Sequence, residues 1–392
     1  MFLYRPQVWP IGQKTALVGR ISSEVVCQNG QQIFFLDEIR IITKFWPQLD
    51  YGDKIRVIGN LEERLIKEKR VGFDLYPEKI DILDHGENAP VWTRLRKSLL
   101  RFRGYLEDAT GQLLPEPQSS LLSGILLGSQ REMPRKFRQS LQKTGTLHLI
   151  AASGQNISVV SLFLLTAFLF VFPRPWAIGL SFFGMIGYCL LTGASPAVIR
   201  AGVMSGLAGF VQIIGRPRQA KRIYWLSAWV MLWFDPSLLS SLSFQLSMAA
   251  TGGILYFLSF FERRTFFKSN FFGKEMALTL AAQTGIMGVV MYHFQTVSLL
   301  SPLVNGLVGP LVPYIMNLGV LALLPGLFWP SLGRWLALPV WVALTSMVKI
   351  ISFFGQIAWA EVDGFVFSLW AMGGYYLVLV AILIWLEKRE LA

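Results

Sequence analysis

Residues 300–324 read LSPLVNGLVGPLVPYIMNLGVLALL, a run that contains no charged residue. A helix needs about 20 predominantly apolar residues to cross the hydrocarbon core of a bilayer, and this run is long enough. Further apolar stretches lie at residues 155–172, 176–193, 196–214, 222–235, 238–261, 276–296, 334–354 and 365–386. The sequence therefore predicts a polytopic α-helical membrane protein with about nine spans, of which 222–235 is the shortest.

The composition indicates that a polar part precedes these spans. Of the 392 residues, 53% are hydrophobic and only 15% are charged, which excludes an ordinary soluble globular protein. Residues 1–145 contain 22 Lys and Arg and 17 Asp and Glu, whereas the longer remainder contains 14 and 7. We expect a β-barrel domain at residues 1–90, interfacial helices and a linker at 91–145, and a polytopic membrane domain at 146–392.

The net charge of +12 suits a polyanionic partner such as nucleic acid or anionic lipid. It also suits the ordinary excess of Lys and Arg in the cytoplasmic loops of a membrane protein. Charge alone does not separate these two interpretations.

The basic residues of the short loops predict the orientation, because Lys and Arg are retained on the cytoplasmic side. If every predicted span crosses once, three clusters share that side: Arg216, Arg218, Lys221 and Arg222; Arg263, Arg264, Lys268 and Lys274; and Lys388 and Arg389. The loop 355–364 carries Glu361 and Asp363 without Lys or Arg, and it falls on the opposite side. We expect the C-terminus to be cytoplasmic and the N-terminal domain to be outside.

The N-terminal 90 residues have the pattern of a small all-β domain. Short runs rich in β-branched residues at 14–22, 31–43, 53–61 and 77–84 are separated by turn signals such as Asn29-Gly30. This cadence predicts an OB-like barrel, a fold that often binds single strands by stacking bases on aromatic side chains. The alternative is that the aromatic residues form the barrel core and the charges keep its surface soluble.

The region that follows the barrel contains a basic amphipathic helix. Trp92, Leu95, Leu99 and Phe102 recur at helical spacing, which indicates a helix that lies in the membrane interface. The basic residues of its other face are expected to contact lipid headgroups or DNA: Arg94, Arg96, Lys97, Arg101 and Arg103. The apolar stretch 121–127 is too short to span and predicts a re-entrant or interfacial segment.

Several polar side chains lie inside the apolar runs. Arg200 is expected to face a cavity or a partner, or else to extend to the membrane interface. Gln245, Gln283 and Asn305 place hydrogen-bonding groups within spans, where some of them serve only to join helices. Gly, Pro and Ser residues near 193–196 and 301–313 predict broken helices, which occur at membrane depth only where protein or a water-filled cavity surrounds them.

The segment Thr144–Ser158 combines His148, Ser153, Gln155 and Asn156 at the start of the first span. A Ser and His pair would suit a hydrolase with Ser153 as nucleophile. No carboxylate lies nearby in the sequence and no GxSxG motif is present, so a structural or pore-entrance role is favoured. With three His, two Cys and no HExxH or CxxC motif, we expect no catalytic residues, no cofactor and no metal site.

Four collinear segments resemble the competence domain of the ComEC family, the polytopic proteins of bacterial DNA uptake. They are LLSGILLGSQREMPRKFRQSLQKTGTLHLIAASGQN at 121–156, TGASPAVIRAGVM at 192–204, DPSLLSSLSFQLSMAATGGILYF at 235–257 and FQTVSLLSPLVNGLVGPLV at 294–312. They follow the order of the family, and the expected barrel agrees with the OB-like module that precedes this domain in the family.

The resemblance implies a channel through which one DNA strand crosses the cytoplasmic (inner) membrane during natural transformation. The positions that match family motifs, and are expected to line the DNA path, are His148, Ser153, Gly154, Arg200, Ser243, Phe244, Gln245 and Asn305. Gln283 and Asn156 complete the expected lining, although Asn156 replaces a His that the family motif usually carries. Single-stranded DNA, the bilayer, a cytoplasmic DNA translocase, a DNA receptor and a separate nuclease are the implied partners.

Many family members carry a C-terminal β-lactamase-like domain and additional spans before the barrel. This sequence resembles a short form or a fragment, so we expect no enzyme activity. A transporter of a small anion or lipid on a ComEC-like scaffold is the alternative function, since broken helices and Arg200 would serve an anionic substrate equally well. A non-conducting membrane anchor for an OB module is the third.

Overall fold

The computed structural model describes residues 14–28, 31–36, 39–44, 47–66, 69–85, 89–129, 133–150, 154–193, 199–200, 202–204, 220–263, 271–357, 361–363 and 367–391. The chain divides into two compact units, the first ending at Tyr105 and the second beginning at Leu106. Each unit is described by itself.

The first unit is a six-stranded sheet followed by part of a helix. Its strands are β1 (Lys14–Arg20), β2 (Val26–Gln28), β3 (Gln31–Leu36), β4 (Ile39–Lys44), β5 (Lys54–Ile66) and β6 (Lys69–Asp84). The strand order is β1-β5-β6-β4-β3-β2, and every pair is antiparallel except the parallel pair β4 and β6. No ladder joins the edge strands β1 and β2 within the described residues, so the predicted closed barrel is not confirmed.

Strand β5 places buried apolar side chains on one face and exposed polar side chains mostly on the other, the pattern of a sheet with one face on a core. In β3 the side chains of Phe34 and Leu36 are buried, and in β5 those of Ile55, Val57 and Leu61 are buried. These residues belong to one cluster of eleven buried side chains. The core therefore lies on one side of the sheet.

The second unit is helical. Its elements are α1 (Val91–Leu113, from Leu106 onward), α2 (Gln118–Leu127), α3 (Arg135–Lys143), α4 (Gly154–Leu169), α5 (Arg174–Leu191), α6 (Ala220–Phe234), α7 (Leu242–Glu262), α8 (Phe271–Phe294), α9 (Ser301–Val308), α10 (Leu311–Gly326), α11 (Pro330–Gly355) and α12 (Leu369–Leu391). Short 3-10 helices occupy Leu147–Leu149 and Pro236–Ser240, and short strands β7 (Thr296–Ser298) and β8 (Glu361–Asp363) form a second sheet.

Among the described residues, five helical segments are long and apolar enough to cross a membrane: Arg174–Leu191, Leu242–Glu262, Gly273–Phe294, Ser301–Gly326 and Pro330–Gly355. Three shorter apolar helices are Gln118–Leu127, Asn156–Leu169 and Leu369–Trp385. Exposed large side chains on these helices, such as Trp335 at 73% and Trp370 at 90%, fit a lipid-facing surface. The predicted count of nine spans is not confirmed, and most of the predicted span 196–214 lies outside the described residues.

The short helix α2 lies inside the second unit. Every residue from Gln118 to Leu127 is buried, and Leu122 packs against Gly319 of α10. The amide nitrogen of Gln118 donates a hydrogen bond to the hydroxyl of Thr345 in α11 at 3.0 Å. An apolar helix too short to span a bilayer is thus covered by protein on all sides.

Small residues set the crossing of α7 and α8. A Cβ atom added to Gly285 would overlap the carbonyl oxygen of Ala249, and one added to Gly253 would lie 2.9 Å from the backbone nitrogen of Gly285. Small residues four apart, Ala249 with Gly253 and Ala281 with Gly285, bring two helix backbones into contact, as is common between membrane helices. Because 249 meets 285 and 253 meets 281, the two helices are antiparallel.

The β7–β8 ladder joins two loops that are distant in sequence. Thr296 pairs with Asp363, Val297 with Val362 and Ser298 with Glu361. The end of α8 and the connection between α11 and α12 therefore lie on the same face of the second unit. The charge pattern predicts that this face is the outer one.

Candidate functional site

Arg200 is buried in the second unit, with 6% of its surface exposed. Its Nε donates a hydrogen bond to Ser247 Oγ of α7 at 2.8 Å, and its Nη1 lies 2.9 Å from Met204 Sδ. Within the described residues no carboxylate forms an ion pair with this guanidinium. A buried cation held by a hydroxyl and a thioether keeps donors for an anion, because these partners do not neutralise its charge.

Tyr224 of α6 packs beside this group. Its ring is buried, and its hydroxyl donates to the carbonyl oxygen of Met248 at 3.0 Å. Since Met248 follows Ser247, the same turn of α7 binds both the guanidinium and the tyrosine hydroxyl. That turn is therefore fixed on two sides.

Gln245 of α7 lies two residues before Ser247, and its side chain links α7 to the 3-10 helix Pro236–Ser240 and to α8. Its side-chain amide donates to the carbonyl oxygen of Leu239 at 2.7 Å, and its Oε1 lies 3.1 Å from Nε2 of His293 in α8. Because an amide oxygen only accepts, His293 Nε2 carries the proton in this pair. Gln245 is half-buried, so the pair retains access from the face that carries β7 and β8.

The remaining predicted residues of these two helices differ in exposure. Phe244 is buried at 5% exposure, whereas Ser243 and Gln283 are half-buried. Phe244 therefore contributes packing, while Ser243 and Gln283 keep accessible polar surface. Helices α7 and α8 together carry four of the predicted path residues, namely Ser243, Phe244, Gln245 and Gln283.

A second polar group forms where the turn after α3 meets α9. Gly145 has a φ of +66°, and a Cβ atom there would lie 2.8 Å from Ser301 Oγ. The left-handed backbone and the close approach both favour glycine. The hydroxyl of Ser298 donates to the carbonyl oxygen of Lys143 at 2.7 Å, which fastens the same turn to β7.

Asn305 extends this second group into α9. Its Nδ2 donates to Ser301 Oγ at 2.9 Å, while its buried Oδ1 has no hydrogen-bond partner among the described residues. A buried acceptor without a partner costs free energy, so such a group often marks a binding position. Asn305 and the Gly145 turn are brought together through Ser301, although 160 residues separate them in the sequence.

His148 lies one turn beyond Gly145. Its Nδ1 is 3.0 Å from the carbonyl oxygen of Gly145, so Nδ1 carries the proton and Nε2 is an acceptor in the neutral ring. The ring keeps accessible surface, but desolvation by the protein packed around it lowers the pKa of His148, and this outweighs the opposite effect of the Gly145 carbonyl. The lowered pKa favours the neutral ring at pH 7.

The motif that follows His148 is described only in part. Asn156 is buried at 2% exposure and donates from Nδ2 to the carbonyl oxygen of Ile125 in α2 at 2.8 Å. It therefore binds the end of a neighbouring helix, and its place in the DNA path stays a prediction. Gly154 begins α4, and Ser153 lies outside the described residues.

In the first unit, two of the five basic residues predicted to contact DNA or headgroups are buried in ion pairs. Lys97 Nζ lies 2.6 Å from Asp53 Oδ1 and donates to the carbonyl oxygen of His85 at 2.7 Å. Arg103 Nη1 lies 3.2 Å from Glu24 Oε2 with its side chain 3% exposed. These two residues hold α1 against the sheet. The other three residues of the predicted contact set are Arg94, Arg96 and Arg101.

Those three arginines are exposed. Arg101 also pairs with Asp50 at 3.0 Å, and the Arg96 guanidinium lies 4.9 Å above the ring of Tyr51. An exposed apolar stripe accompanies them on α1: Trp92 at 71%, Leu95 at 44%, Phe102 at 51% and Tyr105 at 55%.

His293 and Lys143 are two residues of these polar groups that the sequence pattern did not indicate. A signal for His293 was present in the small residues of α7 and α8. If Ala249-xxx-Gly253 packs against Ala281-xxx-Gly285 in antiparallel helices, Gln245 lies near the C-terminal end of α8, where His293 is. The contact of Lys143 is through its backbone carbonyl, for which a sequence carries no signal. Among the described residues, no group of three or more His, Cys, Asp and Glu could hold a metal ion.

Comparison with known proteins gives one family. The model of the competence protein family matches residues 125–389, which is more than half of the chain. This region contains both polar groups described above, the one around Arg200 and Gln245 and the one around Gly145 and Asn305.

Three relatives are similar over parts of the chain. ComE operon protein 3 of Bacillus subtilis is 30% identical over 228 residues, which are 57% of this chain and 28% of that protein. The uncharacterized protein YcaI of Escherichia coli is 27% identical over 223 residues, 54% of this chain and 29% of that protein. An uncharacterized protein of Aquifex aeolicus is 26% identical over 306 residues, 77% of this chain and 66% of that protein. The chain thus matches less than a third of the length of the first two.

Proposed function

The chain belongs to the competence protein family, and from this premise we propose that its membrane unit is a channel for single-stranded DNA in the cytoplasmic membrane. The observation that carries the proposal is the buried guanidinium of Arg200, which has a hydroxyl and a thioether as partners. A passing phosphate would supply the missing negative charge. Gln245, with His293 beside it, adds accessible hydrogen-bonding groups on another face of α7, two residues before Ser247.

We place the face that carries β7 and β8 outside and the C-terminus in the cytoplasm, as the loop charges predict. The strand order supports an OB-like module, since β4 and β6 are parallel and the two edge strands β1 and β2 follow each other in the chain. A bridge between Ile21 and Leu36 links the end of β1 to β3. We therefore infer that β1 and β2 act as two parts of one bent strand, which provides both edges of the sheet and so could close it into a barrel.

Capture of DNA is assigned to the exposed face of α1. Arg94 and Arg96 offer positive charge, and Trp92 and Phe102 offer ring surfaces for bases. Phosphate contacts of this kind make binding fall steeply with salt concentration. A cytoplasmic translocase, a DNA receptor and a separate nuclease complete the proposed system.

The test is passage of labelled single-stranded DNA into proteoliposomes that contain the full chain, driven by an imposed potential. Arg200→Gln and Gln245→Ala are compared with Arg174→Gln, an exposed arginine at the start of α5. We expect the first two substitutions to reduce passage and the third to leave it unchanged. Passage of a small anion instead of DNA would favour a small-anion transporter, and equal passage by all variants would overturn the assignment of Arg200.

A further inference from the structure

An open groove of about 290 Å³ lies between the end of α1 and the start of α11, within the second unit. The residues that line it are Leu113, Leu114, Pro115, Arg334, Ala337, Leu338 and Trp341. None of them belongs to the polar groups assigned to the DNA path. The groove is smaller than most sites that enclose a whole small molecule, so it suits part of a larger one.

Polarity changes in order along the groove. Arg334, Ala337, Leu338 and Trp341 are spaced i, i+3, i+4 and i+7, so they share one face of α11. Arg334 lies in the first turns of a segment that is long and apolar enough to cross a membrane. The charged end of the groove therefore lies at the membrane boundary, and its apolar part extends into the hydrocarbon region.

Arg334 keeps capacity for an anion. It is exposed, and its Nε donates to the carbonyl oxygen of Gln112 at 3.2 Å. This bond orients the guanidinium and uses only Nε, so its two terminal nitrogens remain as donors. Among the described residues, no carboxylate forms an ion pair with Arg334. The N-terminus of α11 adds its own partial positive charge at the same end.

We propose that this groove binds one phospholipid with a net anionic headgroup. The phosphate lies on the Arg334 guanidinium, and one acyl chain lies along Ala337 and Leu338 against Leu113. Charge complementarity at one end and an apolar floor that continues into the bilayer fit this ligand. A DNA strand could bind only to Arg334. The sugar-phosphate backbone of DNA is polar, so it would not cover the apolar side chains of the groove.

The experiment uses the full chain in proteoliposomes with phosphatidylglycerol that carries a photoreactive group in its acyl chain. After irradiation, mass spectrometry locates the label on the peptide that contains residues 335–341. We expect Arg334→Gln to lower the label there roughly tenfold, as loss of a charge-assisted hydrogen bond implies. Arg334→Lys is expected to restore part of it.

The matched control is Arg174→Gln, because Arg174 is also an exposed arginine in the first turn of an apolar helix but lines no groove among those described. It should leave the label on 335–341 unchanged. Equal label in the Arg334→Gln variant, or equal label with a phosphatidylcholine probe, would overturn the proposal in favour of ordinary surrounding lipid. Displacement of the label by added single-stranded DNA would overturn it in favour of a DNA phosphate.

Discussion

Arg200 Nε lies 2.8 Å from Ser247 Oγ, a contact between residues 47 positions apart in the sequence. The guanidinium is the donor, so the serine oxygen accepts a charge-assisted hydrogen bond inside the unit. The bond couples a short helical piece at residues 199–200 to the long helix α7. It also fixes the direction in which the remaining guanidinium donors point.

The first prediction concerns this bond. Ser247→Ala should lower the free energy of unfolding by about 1.5–3 kcal/mol, because a buried charged donor loses its acceptor. Pulse proteolysis of the full chain in detergent and urea measures the change. Ser346→Ala is the control, since Ser346 is exposed and its hydroxyl donates to the carbonyl oxygen of Val342 in its own helix. An equal loss in both variants would contradict the prediction.

The second prediction concerns the crossing of α7 and α8. Gly285→Ala should cost about 1–3 kcal/mol, because its Cβ would overlap the backbone of Ala249. The melting temperature of the purified chain is the measurement. Gly373→Ala in α12 is the control, because a Cβ there meets open space and alanine is the better helix former. A Gly285→Ala chain as stable as this control would show that the backbones are not in contact.

The third prediction concerns the buried ion pair of the first unit. Lys97→Met should destabilise that unit by about 3–5 kcal/mol, because Asp53 would remain buried without a counter-charge. The urea dependence of proteolysis within residues 14–105 of the full chain reports this effect. Arg94→Met, at an exposed position, should change stability by less than about 0.5 kcal/mol. Adding Asp53→Asn to Lys97→Met should recover part of the loss, and no recovery would contradict the ion-pair explanation.

The fourth prediction concerns pH. The pKa of His148 is lowered in the fold, so the unfolded chain binds more protons than the folded one between that lowered pKa and the usual value near 6.5. The stabilising contribution is complete above about pH 6.5 and is lost as the pH falls through this window. His148→Gln should therefore reduce the drop in melting temperature between pH 7.5 and pH 5.5. His85→Gln, in the other unit, is the comparison, and an unchanged drop in the His148 variant would contradict the assignment.

Much of the architecture follows from apolar run lengths. The five long segments of the structure fall on predicted spans, because a bilayer imposes a minimum length that is visible in the sequence. The span at 300–324 appears as two helices, α9 and α10, with the break at Gly309 and Pro310, where Gly and Pro predicted it. Helix α6 has 15 residues and is too short to cross the bilayer as a straight helix. It corresponds to 222–235, the shortest of the predicted spans.

Pairings between distant residues were not predictable. Lys97 and Arg103 lie on a basic helix face that resembles a membrane-surface helix, and their partners Asp53 and Glu24 come from sheet loops far away in the sequence. A helical pattern contains no information on such partners, so burial of these cations required the structure. The contact of Gly145 with Ser301 is of the same kind, although a glycine in a turn was a visible signal.

The contact of Gly253 with Gly285 has a further consequence for transport. Where two helix backbones touch, no gap remains between them for water, lipid or a nucleotide. Helices α7 and α8 at this depth therefore form a continuous wall, and any conduit through the unit must run along one of its sides. In the proposed channel, the DNA strand would therefore lie on one side of α7 and α8, next to the polar side chains on that side.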